Sequence, residues 1–409
     1  MFAFIRENAR WLVGGFMLTY FSGIGQTYFI SASVAEWQAA FQLSHGEFGR
    51  LYMFATLASA ACLPYVGKFL DDVQAHRMLV LVIPVLAGAA LLAGFATALP
   101  VLLVAIFLLR LFGQGMMTHI ALTSTGRWFV AQRGRAVSLV VLGHQGGEAT
   151  IPLAFALLTA AYGYRVGWLA AAVTLLAIGL PVAFWCYRTP RVPHGQLSLE
   201  TGSKPEVRSW TRGEVLTDPV FWVLLTGVLA PAFIGTTMFY HQNYLTALYS
   251  WPPQLFATSL AVMAFTTVMC ALVTGAAIDR FGAVKLLPYF LLPLACACFV
   301  LASSGAPVTL FVMMVLLGIS YGIAATLFGA LWPEIYGLLH LGAVRSVTVS
   351  AAVMATAAGP GLTGTLIDLG LSLPTQMLFL GGYCLVAAGM MTLASVLLQR
   401  RVKSLMGSE

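Results

Sequence analysis

Two charged side chains stand where charge is costly. Arg110 lies in LLRLFGQG (Leu108 to Gly115) and Glu148 in GHQGGEATIP (Gly143 to Pro152), each within a long, largely apolar stretch. Ionisable groups in such stretches mark functional sites by default. A guanidinium offers a planar fork of donors that matches a carboxylate, and an isolated carboxyl group can carry a proton. Consecutive apolar stretches run antiparallel, so Arg110 and Glu148 are predicted at similar depth, where pairing would cancel two buried charges. Such a pair is either a static salt bridge or a site for substrate and protons, and both readings stay open.

Three histidines extend the set. His119 and His144 are expected at one depth, as possible proton relays for Glu148, and His241 stands further along the chain. Met116 and Met117 neighbour His119, and Met238 neighbours His241. Thioether and imidazole together suit Cu(I), so transition-metal import through Met116, Met117, His119, Met238 and His241 is an alternative to an organic solute. No M-x-x-x-M pair surrounds Met238, and no metal site is favoured. Gln26, Thr27, Tyr240, Gln242, Asn243 and Tyr321 add polar and aromatic groups that can bind a solute without identifying it. No G-x-S-x-G, Walker A loop, HExxH or paired-carboxylate cleft is present, so the expectation is no enzyme, no catalytic residue and no cofactor. Without an ATP site, a gradient must drive any transport.

The elements that position these groups follow from composition. Of 409 residues, 60% are hydrophobic and only 9% charged, and the mean hydropathy is +0.89. Soluble domains carry roughly 25% charged residues; a chain this poor in charge has lipid as its solvent. The net charge of +7 is scattered over short loops with no basic face, which excludes nucleic acid as a partner. Six cysteines fall inside apolar stretches without C-x-x-C spacing and read as packing residues. Arg6 and Arg10 precede a span too long for a cleavable signal.

Stretches of about 20 apolar residues, the length that crosses a bilayer, fall at 11–36, 47–70, 78–97, 100–126, 136–161 and 165–187, then at 219–247, 253–278, 284–303, 307–333, 346–368 and 375–399. Between the two sets lies RTPRVPHGQLSLETGSKPEVRSWTRGEVLTD, a polar run that cannot form a core. The predicted organisation is an all-α membrane protein with bundles at 1–187 and 219–409 and a linker at 188–218. Lys and Arg fall on one side: Arg6, Arg10, Lys68, Arg77, Arg127, the linker bases, Arg280, Lys285, Arg345, Arg400 and Arg401 share it, while Arg50 and Arg165 lie opposite. The positive-inside rule then places both termini and the linker in the cytoplasm, in a plasma (inner) membrane.

The halves repeat. GKFLDD (Gly67 to Asp72) returns as GAAIDR (Gly275 to Arg280), and SGIGQTYFIS (Ser22 to Ser31) aligns with AFIGTTMFYH (Ala232 to His241). Repeated bundles with a site between them are a transporter architecture. At these residues the chain resembles the major facilitator superfamily. GAAIDRFGAVK fits that family's G-x-x-x-D-R-x-G-x-x-[RK] loop at Gly275, Asp279, Arg280, Gly282 and Lys285. The first copy keeps Gly67, Asp71 and Arg77 but has Asp72 where an arginine, and Gln74 where a glycine, is usual. LLRLFGQG and the glycine-rich GHQGGEATIP are similar to the family's fourth and fifth helices. The resemblance implies twelve helices in two six-helix bundles, alternating access, a gating role for Gly67, Asp71, Gly275, Asp279, Arg280 and Gly282, and a cavity lined by helices one, four, seven and ten. It names no solute. The predicted function is a secondary transporter, with proton symport and a small carboxylate favoured, acting as a monomer with lipid around it. A non-transporting receptor on the same fold is the further alternative, which the short tails disfavour.

Overall fold

The computed structural model describes residues 2–67, 69–129, 132–189, 210–337 and 341–406. Most of the linker, with Arg191, Lys204 and Arg208, lies outside the described residues, as do Lys68 and the side chains of Asp71 and Asp72. Among the described residues the regular structure is all helical. In lipid a helix meets every backbone hydrogen bond internally, which is why apolar runs of this length fold this way.

Twelve spans follow in order. Span 1 is Phe2–Phe21, carried on by short pieces at Ser22–Gly25, Thr27–Ile30, Ser31–Ser33 and Val34–Phe41. Span 2 is His45–Gly67 and span 3 Ala75–Phe95. Span 4 runs through Leu99–Leu108, Leu109–Met117 and Thr118–Trp128. Span 5 is Arg133–Tyr162, and span 6 joins Tyr164–Thr174, Leu175–Gly179 and Leu180–Tyr187. A linker helix, Arg212–Thr217, precedes span 7 at Pro219–Tyr240 and Gln242–Leu248. Span 8 is Pro253–Phe281, span 9 Ala283–Leu286 with Leu292–Ser303, span 10 Pro307–Tyr336, span 11 Leu341–Asp368 and span 12 Leu373–Met406. Among the described residues 8 helices are long and apolar enough to cross a membrane on their own composition. The other four fall short for local reasons: span 1 carries Arg6, Glu7 and Arg10, span 2 opens with His45, Glu47 and Arg50, His144, Gln145 and Glu148 interrupt the apolar run of span 5, and the main helix of span 9 has only 12 residues.

The chain divides into two compact units. The first holds spans 1 to 6 together with Phe239–Thr246 and Pro252–Ala261; the second holds the remainder, including the linker helix. The outer part of span 7 therefore packs with the first six spans.

In the second unit a buried carboxylate fastens the end of the linker. Asp218 accepts from Arg401 Nη1 and Nη2 at 2.9 and 3.2 Å, from the Val220 amide at 3.1 Å and from the Tyr336 hydroxyl at 3.2 Å. Burial pushes its carboxyl up, but these donors outweigh burial and hold it below the usual carboxylate range. The Trp210 amide donates to Tyr336 O at 2.9 Å, and the Arg401 guanidinium lies 5.3 Å from the Trp210 ring centre. Thr211 and Glu214 close a capping box on the linker helix. Asp218→Asn is expected to destabilise the protein by about 1–3 kcal/mol at neutral pH, since it weakens charge-assisted hydrogen bonds. A group with a depressed folded pKa stabilises above its unfolded value of about 3.9 and loses that contribution as pH falls through the folded value. Thermal unfolding should thus separate wild type from variant at pH 7, and the gap should close only below the ordinary carboxylate range.

Candidate functional site

Arg110 sits in a π-helical stretch of span 4, Leu109–Met117, a local widening common at functional sites. Span 1 meets it backbone to backbone. A Cβ added at Gly25 would stand 2.2 Å from Leu109 O, and one at Gly113 would stand 2.6 Å from Gly25 Cα. Only paired glycines allow this approach, and it brings the broken part of span 1 within reach of the guanidinium. Arg110 is 3% exposed. Its Nη1 donates to Thr27 Oγ1 at 3.2 Å and toward Gly25 O at 3.5 Å, and its Nε has no partner. Thr27 Oγ1 and Tyr52 OH share a hydrogen bond of 2.8 Å, and the Tyr52 ring centre lies 5.7 Å from the guanidinium carbon. Tyr240 packs on Tyr52 at 5.0 Å, with its buried hydroxyl unpartnered.

The expected Arg110–Glu148 pair is not made. Arg110 meets only neutral acceptors among the described residues. Glu148, 5% exposed, makes no hydrogen bond or ion pair among the described residues. The His144 ring, one turn before Glu148 on span 5, is 6.5 Å from the Tyr28 ring. Equal depth on adjacent helices does not make two side chains face each other, because each side chain also has a rotational position about its own helix axis. Nor do His119 and His144 meet, because the His119 ring lies against Gly67 of span 2, 3.2 Å from where a Cβ would sit.

Two groups expected to meet a solute are engaged otherwise. Gln242 Nε2 donates to Tyr28 O at 2.9 Å and to Ser31 Oγ at 2.7 Å, and Asn243 Nδ2 donates to Ser31 O at 2.9 Å. Ser31 Oγ also reaches Phe239 O at 2.7 Å. These side chains tie the outer piece of span 7 to the break in span 1. The half-buried Gln26 holds the extended residue at the break and makes no side-chain hydrogen bond. His241, 2% exposed, is ringed by Tyr240 at 4.9 Å, Tyr244 at 6.3 Å and His45 at 6.5 Å. Met116 and Met117 are fully buried in the first unit, and Met238 is fully buried in the second. Among the described residues no three His, Cys, Asp or Glu groups gather as metal ligands. In the second unit Tyr321 OH donates to Pro231 O at 3.1 Å.

At the loop end of span 8 the Asp279 side chain is exposed and makes no hydrogen bond or ion pair among the described residues. The Ala283 amide donates instead to Glu334 Oε2 of span 10 at 2.9 Å. Gly282 has a φ of +82°, which glycine adopts freely, and it allows the chain to turn beneath Glu334. Arg280 lies beside the Phe281 ring at 5.1 Å, and Gly275 has open surroundings. In the first half Arg127 Nη1 donates to Leu70 O at 2.9 Å, so the equivalent turn is held by a base on a carbonyl rather than an acid on an amide. Glu334 and Tyr28 escaped the sequence reading, the first because it lies outside the loop motif and the second because a tyrosine in an apolar run carries no signal.

An apolar cavity of about 410 Å³ lies among spans 1, 5 and 6, lined by Phe16, Tyr20, Ile24, Phe29 and Phe155 among others. It holds no charged group and does not include Arg110.

Among the described residues the regular structure is helical throughout, with apolar spans, a broken first helix and buried charged groups, as in a membrane-embedded helical bundle. The chain belongs to the Major Facilitator Superfamily, whose model matches residues 15–360. In structure it is similar to a bacterial homologue of the human lysosomal transporter Spinster in an inward-facing, unoccupied conformation, with 17% identity, a TM-score of 0.72, and coverage of 96% of this chain and 98% of that one. It is also similar to the nucleoside transporter NupG, with 12% identity, a TM-score of 0.69, and coverage of 95% and 98%. At these identities the likeness shows the fold alone. No curated protein matches in sequence.

Proposed function

We propose that the protein is a secondary active transporter for a small organic anion, a carboxylate, moved by alternating access and coupled to protons through Glu148. The observation that carries the reading is the state of Arg110: a buried guanidinium with neutral acceptors only and an unpartnered Nε. An uncompensated buried cation costs several kcal/mol, and a carboxylate solute would supply the missing charge and match the fork. Thr27, Tyr52, Tyr240 and Gln26 stand around it as polar and aromatic company. Glu148 takes the proton, with His144 one turn along span 5 as relay; His119, turned to Gly67, is outside that path. The proposed organisation is two bundles, 1–187 and 219–409, joined by 188–218 and acting as a monomer. Both termini face the cytoplasm, and the protein sits in the plasma (inner) membrane.

Purified protein should be stabilised against heating by small carboxylates and not by amines, nucleosides or Cu(I). Stabilisation by copper alone would instead select the metal reading. Orientation has its own test. Cysteines placed at Gly202 and Gly342 should react with an impermeant maleimide only from the cytoplasmic side, and labelling of either from outside would overturn the proposed topology.

A further inference from the structure

Two buried polar side chains, Tyr28 and Glu148, stand where the break of span 1 packs on span 5. Tyr28 is 3% exposed and its hydroxyl has no hydrogen-bond partner. Glu148 is 5% exposed and its carboxyl takes part in no hydrogen bond among the described residues. The Tyr28 ring lies 6.5 Å from the ring of His144, four residues before Glu148, and a Cβ added at Gly23 would stand 2.9 Å from Tyr28 Oη and 3.1 Å from Ile151 Cδ1, three residues after it; His144, Glu148 and Ile151 share one helix face, which places Tyr28 on the face that carries Glu148. A buried hydroxyl without a partner is costly, a cost that is recovered if another state of the transport cycle joins it to Glu148.

The break in span 1 connects this pair to Arg110. Thr27, which Arg110 holds at 3.2 Å, is the residue before Tyr28. The carbonyl of Tyr28 is held by Gln242 at 2.9 Å. A displacement of Thr27 therefore moves Tyr28 directly, with no longer path needed.

We propose that Tyr28 is the positioning residue for proton coupling: its hydroxyl donates to ionised Glu148 in the proton-free state, and the Thr27–Tyr28 step of the span 1 break transmits the occupancy of Arg110 to that contact. The inference rests on the reading of Glu148 as the proton site. In the conformation described, the contact is open, which suits a protonated Glu148 that needs no donor. No bond is made or broken beyond the proton that Glu148 exchanges with solvent, and Tyr28 keeps its own. The titratable groups around Glu148 are Tyr28 and Tyr20 from span 1 and His144 from its own span. Span 4 brings Arg110, held by Thr27, and His119, turned to Gly67. Span 6 carries Tyr164 and Arg165 in its first turn and Cys186 and Tyr187 at its other end. Tyr20 is already engaged, sharing a hydrogen bond of 2.7 Å with Thr150.

The test is infrared difference spectroscopy on the full chain in lipid nanodiscs as pH is stepped. The carbonyl stretch of protonated Glu148 is the band missing from Glu148→Gln. A donor to the ionised form lowers proton affinity, so Tyr28→Phe should move the titration midpoint about one pH unit to the alkaline side. Tyr20→Phe, which leaves Tyr28 intact, should leave the midpoint in place. Lactate, the probe anion, should shift the wild-type midpoint by taking the Arg110 fork from Thr27, and this shift should be lost in Thr27→Val. An unmoved midpoint in Tyr28→Phe overturns the proposal, and a lactate shift that survives in Thr27→Val overturns transmission through Thr27. A wild-type midpoint indifferent to lactate, with the Tyr28→Phe shift intact, would defeat the organic-anion reading of Arg110 and leave the Tyr28–Glu148 contact standing.

Discussion

Arg110→Lys is expected to weaken the binding of a carboxylate solute by about 10- to 100-fold, the worth of one charge-assisted hydrogen bond. Lysine keeps the charge but presents a point donor, so the paired N–H groups that match a carboxylate are lost. The environment sharpens the effect. Arg110 already gives Nη1 to Thr27 and Gly25, and its Nε is unpartnered and buried, leaving a polar edge of the guanidinium for the solute. An ammonium on a flexible stem would be drawn to the same two oxygens and would have no second arm. Radiolabelled lactate uptake into proteoliposomes measures the change as a rise in KM. An unchanged KM would remove Arg110 from the solute site. If the solute is instead copper, Arg110→Lys should be tolerated while Met238→Ala or His241→Ala abolishes uptake, so the same three variants separate the two chemistries.

Gly113→Ala is expected to lower thermal stability and uptake together, and Gly25→Ala to do so more severely. An added Cβ at Gly113 would lie 2.6 Å from Gly25 Cα and 2.8 Å from Gly25 N. At Gly25 it would lie 2.2 Å from Leu109 O and 2.6 Å from Gln114 N. These neighbours are backbone, so no side-chain rotation relieves the clash and spans 1 and 4 must part. Overpacking of this kind costs about 1–3 kcal/mol. Parting the spans also carries Gly25 O and Thr27 away from Arg110. Gly88→Ala in span 3 is the control: nothing lies within 4 Å of its added Cβ, and alanine favours a helix by about 1 kcal/mol over glycine. Unfolding curves and lactate uptake for the three variants decide the matter. A Gly113→Ala protein as stable and active as Gly88→Ala would show that the crossing is looser than the structure has it.

The gap between sequence and structure is clearest at span 5. Its glycines Gly143 and Gly147 pack on the Phe16 and Tyr20 carbonyls of span 1. Yet the same span carries Glu148 to Tyr28 rather than to Arg110. Helical periodicity gives depth along the membrane well, because each residue adds a fixed rise. It gives the azimuth of a side chain poorly once neighbouring helices break or widen, as span 1 does at Gln26 and span 4 does over Leu109–Met117.

What the sequence alone determined about this protein is its solvent, its helical class and its family. Lipid leaves a chain no way to satisfy its backbone except regular helices of fixed length, so composition and repeat spacing carry those conclusions. The loop glycines that mark the family were legible because a turn with positive φ, as at Gly282, demands that residue type locally. What only the tertiary structure decided is which polar group meets which. Arg110 is without an acid, Gln242 and Asn243 hold backbone rather than await a solute, and Glu334 rather than Asp279 receives the amide after the loop. Each of these pairings joins residues far apart in the chain, and its energy depends on angstroms and angles that residue spacing does not encode.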